Sequence, residues 1–226
     1  FIYYTYYIDM YKKCLFAFVL LLIIFIILRY STNYDNDIFI LDNFYSKEEI
    51  IGIKNYIKNT KEKVTYDKRH PERKTYMYKQ CNKKFSGLTS LLHTGKLKYL
   101  LENSLNKKYK INYFPIEYRI YDSKSKGMSW HVDKDIFNGK YYECVLTLSN
   151  TTESLFEYID MYGKLQKLTP KPNTLVCVTP NSIEHRVTPS IIGEREILKF
   201  VITFNDNTVN KNYYDEINSY ENGVYM

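Results

Sequence analysis

The stretch Gly127-Met128-Ser129-Trp130-His131-Val132-Asp133 sets an imidazole and a carboxylate two residues apart at the end of a predicted extended run. Side chains two residues apart on a strand point to the same face, so His131 and Asp133 are placed to bind one metal ion together. Of the four histidines in the sequence, only His185 follows Asp133. We expect His185 to complete a site of two histidines and one carboxylate, which suits Fe(II) and leaves coordination positions open.

From residue 112 onward, short extended runs alternate with turn residues at intervals of about 8 to 12 positions, a pattern that predicts a β-sandwich or barrel. Eight such strands suit a double-sheet jelly roll, whose interior can house a metal or ligand at one mouth. The predicted strands cover residues 115–122, 128–133, 142–149, 153–160, 163–168, 174–179, 184–188 and 196–205.

The region before these strands is predicted to supply a short strand, Ile38–Leu41, and two supporting helices. Ser46 and Glu49 have the spacing of a capping box, which indicates a helix of about three turns. A second helix is predicted from Leu88 to Leu105 by leucines with a period near 3.6 residues. His93 falls in this helix and is not expected to be a metal ligand.

Composition favours one packed domain with appendages, because 226 residues with 45% apolar and 17% aromatic side chains can supply a core. The net charge of +7 indicates solubility more than nucleic-acid binding. Residues 61–84 carry nine Lys or Arg against three Asp or Glu. This basic segment, which includes His70, is interpreted as a solvated loop or edge hairpin, with binding of a polyanion or peptide as the alternative.

The four cysteines, Cys14, Cys81, Cys144 and Cys177, have no CxxC spacing. Cys144 and Cys177 fall in predicted strands, where a buried free thiol is the common state. The sequence therefore predicts no disulfide framework.

Residues 14–28 contain no polar side chain except one thiol, and Lys12-Lys13 precede them. The length and the flanking tyrosines predict a transmembrane signal anchor over residues 14–30, after a short N-terminal segment, residues 1–13. The lysines place the N-terminus in the cytoplasm and the domain across the membrane. A cleaved signal peptide is the alternative, but no Ala-x-Ala-like site follows the run.

Arg195 lies ten residues after His185, at the start of the last predicted strand, where a hairpin returns beside the strand of His185. A buried guanidinium requires an anionic partner. A dicarboxylate fits both groups, because one end can chelate the metal while the far carboxylate pairs with the arginine.

These positions resemble those of the Fe(II)- and 2-oxoglutarate-dependent dioxygenases, particularly the prolyl 4-hydroxylase-like branch, over about residues 36–206. That family carries a tyrosine, then HxD, then histidine, then arginine or lysine about ten residues later. The corresponding residues here are Tyr121, His131, Asp133, His185 and Arg195. The resemblance implies an α+β, mainly β chain with a double-stranded β-helix (jelly roll) core and supporting N-terminal helices. The apolar run before it adds one predicted transmembrane helix. It also implies Fe(II), 2-oxoglutarate and O2 as cofactor and cosubstrates, with ascorbate as a further candidate.

Within this resemblance, Tyr121 donates its hydroxyl to the cosubstrate, and Leu146 and Leu148, or Thr147 if the strand has the other phase, line the cosubstrate pocket. One departure concerns the family's Gly-Gly-x-Thr segment, which is here residues 153–158 without glycine. That segment borders the substrate groove, so the departure bears on the identity of the substrate.

The function implied is hydroxylation of a protein side chain, prolyl ahead of lysyl, with decarboxylation of 2-oxoglutarate to succinate. An oxidative nucleic-acid demethylase and a non-catalytic, cupin-like binding module are the alternatives. The partners expected are a protein or peptide substrate and a membrane, not nucleic acid. A single-pass topology then places the catalytic domain in the lumen of the endoplasmic reticulum or Golgi, if the source is a eukaryote or a eukaryotic virus. Residues 207–226 are expected to be a polar C-terminal tail.

Overall fold

The structure, a computed structural model, describes residues 37–61, 65–67, 73–78, 87–123 and 125–222. The predicted N-terminal segment and membrane anchor, residues 1–30, lie outside this description, as do His70 and two of the cysteines. Among the described helices, none combines the length and apolar composition that crossing a bilayer requires.

An antiparallel sheet of eight strands, here called the major sheet, forms one wall of the domain. Its strands are β1 (Ile38–Leu41), β2 (Thr65–Asp67), β3 (Arg73–Tyr78), β4 (Tyr109–Lys110), β5 (Ile116–Tyr121), β8 (Tyr142–Asn150), β11 (Leu175–Val178) and β13 (Arg195–Phe204). The order is β1-β11-β8-β13-β5-β3-β2, and β4 also pairs with β13. The pair β2 and β3 at one end agrees with the interpretation of the basic segment as an edge hairpin.

Four shorter antiparallel strands form the minor sheet, in the order β10-β9-β12-β6. These strands are β6 (Met128–His131), β9 (Phe156–Ile159), β10 (Leu165–Leu168) and β12 (His185–Val187). A separate two-stranded pair joins β7 (Phe137–Asn138) to β14 (Thr208–Val209). All eight strands predicted after residue 112 are present, so the expectation of a mainly β, jelly-roll architecture is confirmed.

The capping box predicted at Ser46 is present. The Ser46 side chain accepts from the Glu49 N–H (3.2 Å) and the Glu49 carboxylate accepts from the Ser46 N–H (2.7 Å) at the start of α1 (Lys47–Thr60). The predicted helix over 88–105 is instead two helices, α2 (Gly87–Leu92) and α3 (Gly95–Leu105). Thr94 separates them, because its extended backbone and its side chain cap the N-terminus of α3.

The segment expected to be a polar tail contains a helix, α4 (Lys211–Asn222), with β14 just before it. The Asn210 side-chain oxygen accepts from the N–H of Asn212 (2.9 Å) at the helix start. Tyr213 and Ile217, one turn apart, pack on an apolar cluster that contains Val201 of β13. The prediction of a polar tail did not include this helix, which two apolar contacts at helical spacing dock on the domain.

Side chains along the strands of the major sheet alternate between two environments. One set, here called the helix face, forms the main core together with buried residues of α1, α2 and α3. The other set, here called the cavity face, points into the space between the two sheets. Strand β8 illustrates the alternation: Cys144 and Leu146 lie on the helix face, whereas Glu143 and Val145 lie on the cavity face.

Candidate metal centre

The three side chains expected to bind metal meet at one point of the cavity. Strands β6 and β12 pair antiparallel with His131 directly opposite His185, and Asp133 follows β6 on the same side. The Asp133 carboxylate lies 3.8 Å from His131 Nε2 and 3.6 Å from His185 Nε2. One ligand atom from each of the three residues falls within 4.8 Å of the other two.

Each imidazole is oriented by a backbone carbonyl. The Nδ1 atoms of His131 and His185 lie 2.8 Å and 2.9 Å from the carbonyl oxygens of Ser129 and Ile183. Because a carbonyl oxygen can only accept, Nδ1 carries the proton in each ring, and in a neutral ring the lone pair is then on Nε2. His131 Nε2 is buried and has no hydrogen-bond partner among the described residues. A hydrogen bond from Nδ1 to a carbonyl oxygen thus fixes each ring so that it can bind a metal through Nε2.

The protonation states also suit a divalent cation. Burial lowers the pKa of His185, which keeps its ring neutral. Burial acts to raise the pKa of Asp133, but nearby positive charge, that of the Lys199 ammonium foremost, outweighs it, so the pKa falls below its usual value. The neutral His185 imidazole, the imidazole of His131 and one ionised carboxylate form the two-histidine, one-carboxylate set that suits a non-haem Fe(II) site.

Gly127 allows β6 to approach β12. Its φ is +68°, a left-handed conformation, and a Cβ placed there would lie 2.2 Å from the carbonyl oxygen of Val187. Any other residue would force the two strands apart. Gly127 therefore maintains the pairing that brings His131 opposite His185.

The cavity between the sheets has a volume of about 830 Å³ with its open mouth included. The metal-binding side chains line it together with two residues expected for the cosubstrate, Tyr121 and Arg195. Apolar side chains make up much of its wall: Met128, Val145, Phe156, Val176, Val178, Val187 and Ile197.

Arg195 and Tyr121 face each other across neighbouring strands. They are register partners in the β13–β5 pair, and the guanidinium carbon of Arg195 lies 5.6 Å from the centre of the Tyr121 ring. Arg195 is 6% exposed, yet its Nε and Nη1 have no hydrogen-bond partner among the described residues. Burial lowers its pKa, but from a value so high that the group stays charged. A buried cation with unused donors creates a place for an anion.

The surroundings of Tyr121 strengthen this positive region. Arg119 Nη1 donates to the Tyr121 hydroxyl at 3.5 Å. Burial acts to raise the pKa of Tyr121, but nearby guanidinium groups, Arg119 foremost, hold it below its usual value. An anion placed beside this hydroxyl therefore meets more than one positive charge.

Two ion pairs on the cavity face were not foreseen. Arg119 Nε donates to the Glu117 carboxylate at 2.8 Å, and Lys199 Nζ lies 2.5 Å from a carboxylate oxygen of Glu143. Arg119 and Lys199 both line the cavity. The alternation of side chains along a strand could have predicted both positions. Arg119 is two residues before Tyr121 and Lys199 is four residues after Arg195, so each shares a face with its partner in the site.

Leu146 and Leu148 do not line the pocket, and the expectation that they do was wrong. Both are buried in the main core against the helices, and Val145 faces the cavity in their place. The phase of β8 follows from its neighbours, because α1 and α3 need an apolar surface to pack on. The alternative phase, with Thr147 on the side of Val145, is the one that the strand adopts.

Trp130, beside the metal-binding stretch, lies outside the cavity. Its ring is stacked with the Arg186 guanidinium at 4.9 Å, and Arg186 Nε donates to Glu157 at 2.6 Å. Trp130 and Arg186 immediately neighbour His131 and His185 in sequence and occupy the opposite face of the minor sheet. The tryptophan thus stabilises the outer surface of this sheet.

No protein-family model and no curated protein matches the sequence. Solved structures do match. A prolyl-4-hydroxylase from Pseudomonas putida has a TM-score of 0.57 at 13% identity, covering 76% of this chain and 94% of its own. A prolyl hydroxylase from Trichoplax adhaerens, in complex with a peptide fragment of the hypoxia inducible factor oxygen degradation domain, has a TM-score of 0.58 at 13% identity, with coverages of 76% and 85%.

A third match is not described as a prolyl hydroxylase. HygX from Streptomyces hygroscopicus, with nickel, 2-oxoglutarate and hygromycin B bound, has a TM-score of 0.56 at 10% identity, covering 75% of this chain and 84% of its own. At identities this low, it is the TM-scores of 0.56 to 0.58 that establish a common fold. The chain therefore has the double-stranded β-helix fold of the 2-oxoglutarate- and Fe(II)-dependent oxygenases.

Proposed function

We propose that this chain is a non-haem, Fe(II)- and 2-oxoglutarate-dependent dioxygenase that hydroxylates a protein side chain, prolyl or lysyl. One observation carries the proposal. The cavity between the sheets has a two-histidine, one-carboxylate cluster in its wall and also a buried arginine with unused donors.

His131, Asp133 and His185 would hold Fe(II). The fit rests on the unpartnered Nε2 of His131, the Nδ1 hydrogen bonds that orient both rings, and the ionised carboxylate between them. When bound, Fe(II) and 2-oxoglutarate supply oxygen activation, in which 2-oxoglutarate becomes succinate and CO2 and one oxygen atom enters a C–H bond.

The chain's own residues would bind and orient the cosubstrate. Arg195 offers two unused N–H donors to a carboxylate, and Tyr121 offers a hydroxyl beside it. The apolar side chains of the cavity wall, among them Val176, Val178 and Ile197, limit the access of water to the cavity. A dicarboxylate fits this cavity, because the buried guanidinium of Arg195 and the metal-binding cluster both line it.

A protein or peptide is the substrate class that we favour. The support is likeness of fold to two prolyl hydroxylases, one of them described with a bound peptide. We further propose that residues 14–30 anchor the chain in a membrane with the catalytic domain in the lumen. That part rests on the apolar run and its flanking lysines in the sequence.

Anaerobic titration tests the site directly. Fe(II) is added to the full chain, then 2-oxoglutarate, and the visible charge-transfer absorption of the chelated cosubstrate is followed. The wild type is expected to bind both ligands. His131→Ala is expected to lose Fe(II), whereas Arg195→Ala keeps Fe(II) and binds 2-oxoglutarate at least about 30-fold more weakly, because the far carboxylate loses its charged partner.

Two further variants control the arginine result. Arg195→Lys keeps the charge but not the two-pronged geometry, so its loss of affinity should be intermediate. Arg186→Ala removes an arginine from the outer face of the minor sheet and should leave both affinities unchanged. Equal weakening by Arg186→Ala and Arg195→Ala would contradict the assigned role of Arg195.

The substrate class needs a separate assay. Proline-containing and lysine-containing peptides are incubated with the loaded enzyme, and products that gain one oxygen atom are sought by mass spectrometry. Oxidation of methylated nucleic acid and of no peptide would replace the proposed substrate class and leave the Fe(II) and 2-oxoglutarate site intact.

A further inference from the structure

Two cysteines face each other inside the main core. Cys144 of β8 and Cys177 of β11 are direct register partners in an antiparallel pair. Their exposed fractions are 0% and 1%. The two Sγ atoms lie 2.6 Å apart, both as thiols. Sulfur atoms that are not bonded to each other do not pack so closely in a relaxed core.

We propose that Cys144 and Cys177 form a disulfide that covalently joins β8 to β11 when the chain folds in an oxidising environment. The backbone already meets the requirement. Directly opposed residues of an antiparallel pair have Cα atoms about 4.5 or 5.5 Å apart, and disulfides need about 4.4–6.8 Å. Closing the remaining gap to a bond of about 2.05 Å requires small side-chain rotations and no change of register.

The surroundings favour a bond over metal binding or catalysis. The pair lies on the helix face, packed among apolar side chains of the main core such as Leu146 and Phe200. Burial raises the pKa of Cys144, so in the folded chain this thiol is a poor nucleophile and a poor metal ligand. The cavity and its metal-binding side chains are on the opposite face of the same strands. A structural cross-link is the chemistry left for two opposed thiols in such a place.

The oxidant is a small-molecule disulfide such as oxidised glutathione. One cysteine thiolate attacks it, forming a mixed disulfide and releasing one molecule of reduced glutathione. The second cysteine thiolate then attacks the protein sulfur of the mixed disulfide and releases the second molecule. The two cysteines are oxidised, one glutathione disulfide is reduced, and the two protons pass to the released thiolates. Because both sulfurs are buried in the folded chain, this exchange belongs to folding, before the strands close.

The bond would join the strands at the back of the cavity. Val176 and Val178 of β11 and Glu143 and Val145 of β8 line the cavity on either side of the two cysteines. A link between Cys144 and Cys177 therefore fixes the distance between these two parts of the wall. The inference stands independently of the proposed enzymatic activity, since it concerns the other face of the sheet.

Thiol counting after refolding tests the proposal. The full chain with Cys14→Ala and Cys81→Ala keeps only the two cysteines of interest. It is reduced, unfolded and refolded in glutathione buffer containing equal amounts of the oxidised and reduced forms, quenched with acid, unfolded again and labelled with a maleimide. We expect no label without reductant and two labels after reduction. After trypsin, peptides 141–164 and 168–186 should be found joined and lighter by two hydrogen atoms.

A single-cysteine control distinguishes this pairing from others. In the same background, Cys144→Ala should leave Cys177 fully labelled without reductant, or carrying only one glutathione. Two labels on the unreduced parent chain after complete refolding would overturn the proposal, as would a cross-link to a second chain. The parent-chain result stands even if Cys144→Ala fails to fold, because labelling is done on unfolded protein.

Discussion

The two faces of the major sheet have opposite chemistry although they share the same strands. On the helix face, Leu146, Leu198 and Phe200 are almost fully buried against helices. On the cavity face, alternate residues of β13 are Arg195, Ile197 and Lys199. The helix face stabilises the domain through apolar burial. The cavity face carries buried charged groups, which cost stability but can bind a ligand. A strand period of two residues lets one segment do both.

The largest loss of stability is expected on the helix face. Leu146→Ala removes a side chain with 0% exposure and should lower the free energy of unfolding by about 3–5 kcal/mol, through lost burial and the cavity left behind. Its neighbour Val145 borders space that is already open, so Val145→Ala should cost about 1 kcal/mol. Urea denaturation of the two variants makes the comparison. A larger effect of Val145→Ala would mean that the assignment of the faces is reversed.

A smaller loss is expected where a charge on the cavity face loses its partner. Lys199→Met leaves Glu143 buried without its ammonium partner and should cost about 2–3 kcal/mol. The value lies below that of a fully buried pair because 22% of the Lys199 side chain is exposed. Burial already raises the pKa of Glu143 to about 7, against the opposing effect of Lys199.

The matched control is the double variant. Adding Glu143→Gln to Lys199→Met should recover much of the lost stability, since the buried carboxyl group that has lost its partner is then also removed. If the two single losses simply add in the double variant, the two groups do not act as a pair.

His93, on the helix side of the major sheet, provides the smallest effect and a contrast with the two cavity histidines. Its ring packs on Phe200 with centroids 5.8 Å apart, and its Nδ1 is hydrogen-bonded to the Tyr109 hydroxyl. Burial lowers its pKa to about 4. The unfolded chain therefore binds more protons than the folded chain between about pH 4 and 6.5, and stability falls as the pH falls through this window.

Replacing this histidine should remove that part of the pH dependence. Between pH 7 and pH 5 the wild type is expected to lose about 2 kcal/mol more than His93→Gln does. Tyr109→Phe keeps the histidine and should retain most of the slope. Denaturation curves at the two pH values measure the difference, and an unchanged slope in His93→Gln would show that His93 is not the group responsible.

The two faces also show how far sequence reasoning reaches. The spacing of His131 and Asp133 is local and has one geometric meaning on a strand, so the structure brings these side chains together as expected. Tyr121 and Arg195 also lie opposite each other, through the register of β5 and β13. The hairpin expected to return β13 beside the strand of His185 was wrong, because β12 belongs to the minor sheet and β13 to the major sheet. Turn residues at regular intervals were sufficient to locate the strands.

What sequence reasoning missed depends on contacts between distant segments. The phase of β8 is decided by helices about 40 to 100 residues earlier in the chain, so Leu146 and Leu148 were placed on the wrong face. The helix α4 docks through side chains that its own composition does not single out. The opposition of Cys144 and Cys177 depends on the register of two strands that are not adjacent in sequence, which no cysteine spacing reveals.

The most direct test of the cavity face is the formation of succinate from 2-oxoglutarate when oxygen is admitted to the Fe(II)-loaded chain. We predict succinate from the wild type and from Val145→Ala, and none above background from His131→Ala or His185→Ala. Succinate at the wild-type rate from either histidine variant would contradict the account, because oxygen activation would then not depend on the cluster around Asp133.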